Sequence, residues 1–295
     1  MKVKAEAAKT YHARMQRVLV YIDGRLEDDL SVEALSGVAA FSKFHFHRQF
    51  SALFGISVHS YVQLARLKRA AHRLAYRRDE PILQIALDSG YAGPEAFTRA
   101  FRQLVGQTPS AFRKQPDWTP WQTAIGPFNQ TRSAHMSDFT DDQVRIIEVP
   151  ATPVAIMSHR GHPARIGDTI RRFIAWRKAA GLPPKVSATF NILHNDPETT
   201  QPEEYRFDLC AAVTRPVPAE DEAVQNGLIP AGRCAVLRLT GASDDLKPAV
   251  SFLYRDWLPR SGEDLRDFPI YAQRVSFFPD VAESEAITDI FLPLK

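Results

Sequence analysis

Phe41-Ser42-Lys43-Phe44-His45-Phe46-His47-Arg48-Gln49-Phe50 and, about fifty residues further on, Tyr91-Ala92-Gly93-Pro94-Glu95-Ala96-Phe97-Thr98-Arg99-Ala100-Phe101 repeat one pattern. In each, an aromatic stands four residues before another, Phe46 before Phe50 and Phe97 before Phe101, with Arg48 or Arg99 between them. Five residues beyond the second aromatic comes a glycine, Gly55 or Gly106. Helical spacing sorts each stretch into two faces. Phe46, Phe50 and Leu53 form a core stripe, as do Phe97, Phe101 and Leu104. Phe44, His47 and Arg48 share the opposite side of the first helix, with Ser42 and Lys43 at its N-terminal end. Glu95, Ala96, Arg99 and Arg102 project outward from the second.

The residues before each stretch match as well. Leu35-Ser36 with Ala39-Ala40 corresponds to Ile85-Ala86 with Ser89-Gly90 at an offset of fifty, whereas the following helices align at fifty-one, so the second turn is one residue longer. Small residues at these places let two helices approach in an angled helix-turn-helix. Each unit is followed by Gly-x-[Ser/Thr]-x-x-x-aromatic. Two such units in register are suited to two successive major-groove segments of DNA, since a groove admits one helix whose exposed N-terminal residues reach base edges. The planar fork of arginine takes guanine O6 and N7 together. His47 can donate to or accept from a base edge, Phe44 can pack on thymine methyls, and Glu95 can accept from a cytosine amino group.

Probable helices by periodicity and breakers are 10–28, 32–39, 43–54, 58–77, 82–88, 94–105 and 109–114, with Ser31 and Ser42 as N-caps and Pro81 and Pro94 in first turns. Residues 116–143 turn to Pro, Thr, Ser, Gln and Asp with scattered aromatics and read as a linker, either free or with part of it packed. From residue 144 strands and helices alternate. Residues 153–159, 186–193, 206–213, 233–240, 268–275 and 286–293 are β-like, and 164–180 and 244–260 are amphipathic helices. An internal repeat recurs at an offset of eighty: Pro150-Ala151, Ala155 and Gly161 return as Pro230-Ala231, Ala235 and Gly241. The expected architecture is therefore multidomain. An N-terminal all-α double helix-turn-helix of seven helices (1–115) precedes a C-terminal α+β domain of two βαββ repeats (144–295), with a pseudo-two-fold cleft between the repeats.

A chain of 295 residues has room for two cores. Its net charge of +3 conceals an asymmetry, because residues 1–118 hold 18 Lys/Arg against 11 Asp/Glu while the remainder holds 19 against 23. The basic front half is the part expected to meet a polyanion. Residues 1–17 have no apolar core of signal-peptide length, and no run is long enough to span a bilayer. Cys210 and Cys234 lack metal-site spacing and sit in apolar, strand-like surroundings, which suits inert thiols in a reducing, cytoplasmic setting.

On Leu35, Ser42, Phe46, Arg48, Phe50, Gly55, Ser57 and Tyr61, then Ile85, Ala86, Gly90, Tyr91, Phe97, Arg99, Phe101, Gly106, Thr108, Pro109 and Phe112, the sequence resembles the AraC/XylS family of bacterial transcription regulators over residues 12–114. The resemblance implies a long helix, 58–77, bridging two subdomains, with base contacts at Phe44, His47 and Arg48 and at Glu95, Ala96 and Arg99. Pro94 and Ala96 stand where relatives often carry polar residues, which implies weaker sequence reading by the second unit. Residues 144–295 resemble the GyrI-like effector-binding domains, through 153–161, 190–197 with its Asn195-Asp196-Pro197 turn, 229–241 and 288–294. Such domains bind small, often cationic molecules between their halves. Phe173, Trp176, Phe190, Tyr254, Trp257 and Tyr271 are the aromatics expected to wall that site. Where relatives carry a late glutamate the sequence reads Tyr271-Ala272-Gln273-Arg274, which implies a neutral or anionic ligand or a vestigial pocket in place of a cationic ligand.

No catalytic residue, cofactor or metal site is expected. His159, His162 and His194 lack metal-ligand spacing or a nucleophile, and His159 and His162 flank a turn glycine as expected surface residues. Neither cysteine stands in the Pro-Cys-His-Arg context of a repair alkyltransferase. The expected function is DNA-binding transcription regulation modulated by a small molecule, with double-stranded DNA, an effector and RNA polymerase as partners, no membrane, and a monomer or homodimer. The alternatives are a small-molecule-sequestering protein or a weak hydrolase of small electrophiles.

Overall fold

The computed structural model describes residues 2–136, 139–218, 221–241 and 246–295. It divides into two compact units: Met1–Asp138 together with Phe278–Glu285, and Phe139–Phe277 together with Ala286–Lys295.

The first unit is helical: α1 (Lys2–Asp23), α2 (Val32–Ala39), α3 (Lys43–Phe54), α4 (Val58–Tyr76), α5 (Ile82–Asp88), α6 (Pro94–Val105), α7 (Pro109–Lys114) and α8 (Trp118–Met136). Hydroxyl caps begin four of these. Ser31 Oγ accepts from Ala34 N at 3.2 Å, Ser42 Oγ from His45 N at 3.5 Å, Ser57 Oγ from Ser60 N at 3.0 Å and Thr108 Oγ1 from Ala111 N at 3.2 Å. Each such cap is worth about 1 kcal/mol. Pro94 opens α6 in its first turn, whereas Pro81 is the residue before α5 rather than inside it. Gly55 and Gly106 close α3 and α6 in left-handed backbone, φ 71° and 77°.

The aromatic stripes are buried as their spacing requires. Phe46, Phe50 and Phe54 of α3 pack with Tyr61 of α4, and Phe97, Phe101 and Val105 of α6 with Phe112 of α7. Leu53 and Leu104, the expected ends of the stripes, are only partly buried, because the row drifts to Phe54 and Val105 over a second turn. Part of the expected linker 116–143 packs in the same core. Trp118, Trp121, Ile125 and Phe128 fall at helical spacing in α8 and bury themselves there, Trp118 against Phe112 and Tyr76 and Phe128 against Tyr61. Four apolar anchors outweigh the loop-like composition around them.

The second unit is one eight-stranded antiparallel sheet with helices: β1 (Val144–Val149), β2 (Thr152–Arg160), α9 (Ile166–Ala179), β3 (Thr189–Leu193), β4 (Arg206–Ala212), β5 (Gln225–Ile229), β6 (Gly232–Thr240), α10 (Lys247–Ser251), β7 (Tyr271–Ser276) and β8 (Ile287–Pro293). Strand order is β1-β6-β8-β7-β3-β4-β2-β5. The two βαββ repeats are present, related by a pseudo-two-fold between β3 and β7. Each also has an extra leading strand that sequence periodicity missed. These strands are exchanged: β1 pairs with β6 of the second repeat, and β5 with β2 of the first. The helix expected over 244–260 is interrupted, with α10 passing into a π-helical turn at Phe252–Trp257 and a short α11 at Leu258–Ser261. Pro259, lacking an N–H, is incompatible with a regular α-helix there. Asp244 lies outside the described residues.

Alternation along the strands gives the sheet two apolar faces. On one, Phe173 of α9 packs on Ala155, Met157, Leu209 and Ala211, and Leu253 and Trp257 pack on Ala235, Leu237, Ala272 and Ile290. The other gathers Phe190, Cys210, Cys234, Tyr271 and Phe291.

Candidate nucleic-acid interface and effector unit

The outward faces of α3 and α6 lie opposite their buried aromatics. Phe44 is 85% exposed, an arrangement that leaves a phenyl ring in water. Ser42, Lys43, His47 and Arg48 are exposed beside it, as are Glu95, Arg99 and Arg102 on α6, while Ala96 is half-buried. Pro94, Glu95, Thr98, Arg99, Arg102 and Gln103 line a shallow surface concavity. Lys43 does not stand alone, because it forms an ion pair with Glu33 of α2, and this hydrogen bond holds the Glu33 carboxyl below its ordinary pKa.

Buried charge ties α4 to α5, the helix before α6. Arg73 of α4 donates to both carboxylate oxygens of Glu80, at 2.8 and 2.6 Å, and to Asp88 of α5 at 2.6 Å. The Glu80 hydrogen bond raises the Arg73 pKa and lowers that of Glu80. Burial opposes ionisation of Asp88, yet Arg73 and Gln84 together keep its pKa low. Arg66 donates to the carbonyls of Leu26 and Asp28 at 2.9 and 2.8 Å, and its guanidinium lies against Gly90. Sequence reasoning missed Lys68, Arg66 and Arg73, since charges on a long helix normally face solvent and nothing in their spacing marks them as buried.

The six aromatics expected to wall an effector site do not come together. Phe190 and Tyr271 share one sheet face, ring centroids 6.3 Å apart, and Tyr271 stacks on Phe291 at 4.8 Å. Phe173 and Trp176 stack at 6.0 Å in the α9 cluster, on the opposite face. Trp176 is also tied by its indole N–H to Asp221 at 2.6 Å. Trp257 belongs to the other helix-side cluster, and Tyr254 is 40% exposed. Periodicity assigns a residue to an apolar face but does not say which side of a sheet that face covers.

In β7, Arg274 donates to Asn191 Oδ1 at 2.8 Å. Arg177 of α9 is buried, with the carbonyls of Leu182 and Ser187 at 2.6 and 2.5 Å and Thr189 Oγ1 as acceptors, and burial lowers its pKa to about 10. Cys210 and Cys234 are free and buried, and desolvation raises both thiol pKa values.

His159 corrects the expectation of a surface residue. It is 4% exposed, its Nδ1 lies 2.9 Å from Thr169 Oγ1 and its Nε2 3.2 Å from the His162 carbonyl, whereas His162 is exposed as expected. The turn at Gly161 folds the chain back so that β2 carries His159 beneath α9. Asp208 is buried between Ser158 Oγ at 2.6 Å, His194 Nε2 at 2.8 Å and Arg206 at 2.6 Å. The carboxylate separates the serine from the histidine, so His194 has no contact through which to activate Ser158. Among the described residues no three His, Cys, Asp or Glu side chains cluster to hold a metal ion, and no helix is long and apolar enough to cross a membrane.

The fold is a double helix-turn-helix followed by an α+β unit built on one antiparallel sheet. Residues 35–115 match the helix-turn-helix domain family and residues 142–295 the GyrI-like small molecule binding domain family. The chain belongs to the GyrI-like family and carries an AraC-type helix-turn-helix domain ahead of it, the architecture of a transcription regulator with a ligand-binding domain. It is 41% identical over 160 residues to the probable transcriptional regulator YgiV of Escherichia coli (strain K12), covering 54% of this chain and 99% of that one. It is 41% identical over 103 residues to the uncharacterized HTH-type transcriptional regulator YbfP of Bacillus subtilis (strain 168), 35% of each chain. A cryo-EM structure of an EcmrR–DNA complex is similar over 86% of this chain and 85% of that one, at 13% identity and a TM-score of 0.44.

Proposed function

We propose that the chain regulates transcription by laying α3 and α6 into adjacent major-groove segments on one face of a duplex, their centres about one turn (roughly 34 Å) apart. Phe44, His47 and Arg48 read the first segment, and Glu95, Ala96, Arg99 and Arg102 the second. Ser42 and Lys43 sit at the N-terminal end of α3, where a helix attracts phosphate. The observation that carries the proposal is the exposure of Phe44, Arg48 and Arg99 on the outer faces of two helices whose inner faces are fully buried. A helix N-terminus rich in base-reading side chains and a solvent-exposed phenylalanine are explained together by a groove.

The GyrI-like unit binds a small neutral or anionic molecule and shifts the affinity for DNA or the contact with RNA polymerase. Its ligand acts by binding one conformation better than another. The absence of a carboxylate from Tyr271-Ala272-Gln273-Arg274 supports the choice of charge. The protein works in the cytoplasm, as a monomer able to fill a two-part site or as a homodimer, and without catalysis; the carboxylate lodged between Ser158 and His194 supports the last point.

Selection of bound duplexes from a random pool by the full chain, followed by salt titration, tests the assignment. Enrichment of a two-part site with half-sites about 10 base pairs apart is expected. Retention without sequence preference, beside tight uptake of a metabolite, would instead identify a sequestering protein.

A further inference from the structure

Phe278–Glu285 lies between β7 and β8 in sequence, the two neighbouring strands at the centre of the GyrI-like sheet, yet it packs as part of the helical unit. Its base is clamped where Ile287 N donates to Ser276 Oγ at 2.8 Å. Within the helical unit its far end is held by a buried ion pair: Lys68 Nζ of α4 stands 2.6 Å from Glu283 Oε1, with the two side chains 1% and 6% exposed. Asn129 Oδ1 of α8 accepts a second hydrogen bond from Lys68 at 3.0 Å. Phe278 packs edge-on to His72 at 5.0 Å, and Asp280 pairs with Arg77. Two successive turns of α4, at Lys68 and His72, and Arg77 just beyond its C-terminal end therefore hold this segment.

The site on α4 matters because that helix joins the two helix-turn-helix units, running from the Ser57 cap behind α3 to Tyr76 ahead of α5. A buried ion pair is poor glue, since desolvation cancels most of its attraction, but it discriminates sharply: removing one partner strands a charge. Ser284 Oγ is buried here without a hydrogen-bond partner among the described residues, so the seat is not optimised for tightness. Such a contact is suited to being made in one state and released in another.

We propose that Phe278–Glu285 is a strap by which the GyrI-like sheet and the helix bridging the two DNA-reading units sense each other. Its two ends are β7 and β8, so a ligand that displaces either strand pulls on Glu283, and a duplex that re-aims α4 pulls on the strands. The inference rests on the DNA-binding function proposed above.

The test is amide hydrogen exchange on the full chain, with thermal melting to confirm folding. Without DNA, Lys68→Met should speed exchange in Tyr271–Ser276 and Ile287–Pro293 by about tenfold, and the paired replacement Lys68→Met/Glu283→Leu, which removes both charges of the pair, should restore it. Unchanged exchange in those strands on Lys68→Met would overturn the strap. With a duplex recovered by random-pool selection, the same amides should change their exchange in the wild type and not in Lys68→Met, because coupling between two sites is reciprocal. A bound duplex that leaves the wild-type strands unchanged would reduce the segment to a brace and sink its regulatory role. If no duplex is retained, the DNA-binding function falls, and the strap's regulatory role with it, whatever the DNA-free result.

Discussion

Ala40 and Gly90 occupy equivalent turns fifty residues apart, and both are left-handed, with φ 53° and 74°. The repeat thus uses one backbone shape with two different residues. A side chain in that region is disfavoured by about 1–2 kcal/mol, so the first turn holds strain that the second avoids.

Ala40→Gly should therefore raise the stability of the helical unit by about 0.5–1 kcal/mol, the relief of strain being partly offset by a more flexible unfolded chain. Gly90→Ala should lower it by about 1–2 kcal/mol or more, because the new Cβ would also lie 2.5 Å from the Arg66 guanidinium, which Leu26 and Asp28 hold in place. Urea unfolding followed by far-ultraviolet circular dichroism measures both. Equal responses at the two turns would show that the equivalence is not energetic.

At the outer face of α3, Arg48→Ala should lose on the order of 1–3 kcal/mol at one base pair and relax preference there. Arg99→Ala should do the same in the other half-site, with a smaller change in selectivity, as Pro94 and Ala96 leave α6 fewer polar contacts. Binding to cognate and scrambled duplexes is the measurement. Unchanged affinities for both would show that neither helix lies in a groove.

Helix α8 is structural. Trp121 is 4% exposed in the core of the helical unit, so Trp121→Ala should destabilise that unit by about 3–5 kcal/mol. A fragment of residues 1–115 should melt well below one of residues 1–136. Identical melting of the two fragments would return this segment to the status of a linker.

The buried His159 predicts a pH response. Desolvation lowers its pKa below the ordinary value of about 6.5, so below that value the unfolded chain binds more protons than the folded one. Its contribution is present above the unfolded pKa and is lost as pH falls from about 6.5 toward the depressed folded value. The urea midpoint of the GyrI-like unit should fall between pH 7 and pH 5.5, and His159→Gln should flatten that slope. Asp208, also depressed, acts in a lower window, below the ordinary carboxylate range. A slope unchanged in the variant would assign the response to another group.

Much of the helical unit was legible because Phe46, Phe50, Phe97 and Phe101 are large, regularly spaced and bounded by cap residues, so local and tertiary signals agree. Helix α8 was hidden, since Trp118, Trp121, Ile125 and Phe128 are diluted by Thr, Gln and Pro. Strand β1 was hidden for the opposite reason: as an edge strand it leaves Ile146 and Ile147 both exposed and has no alternation to detect. The outward residues of α3 and α6 could be read from the wheel of a single helix, because exposure on an isolated face needs only local periodicity. The effector wall could not be, since grouping Phe190 with Tyr271 and parting them from Phe173 depends on which strands neighbour which. The Lys68–Glu283 pair spans 215 positions and lies beyond any local pattern.

The trading of β1 and β5 between the repeats bears on ancestry. A lone repeat would have an uncovered border along β2 and a leading strand with nothing of its own to lie against. Two separate copies would mend both faults by lending those strands to one another and abutting at β3, reproducing the same eight-strand order across two molecules. An excised repeat should accordingly be recovered as a mutual pair, the two-molecule counterpart of the present single chain.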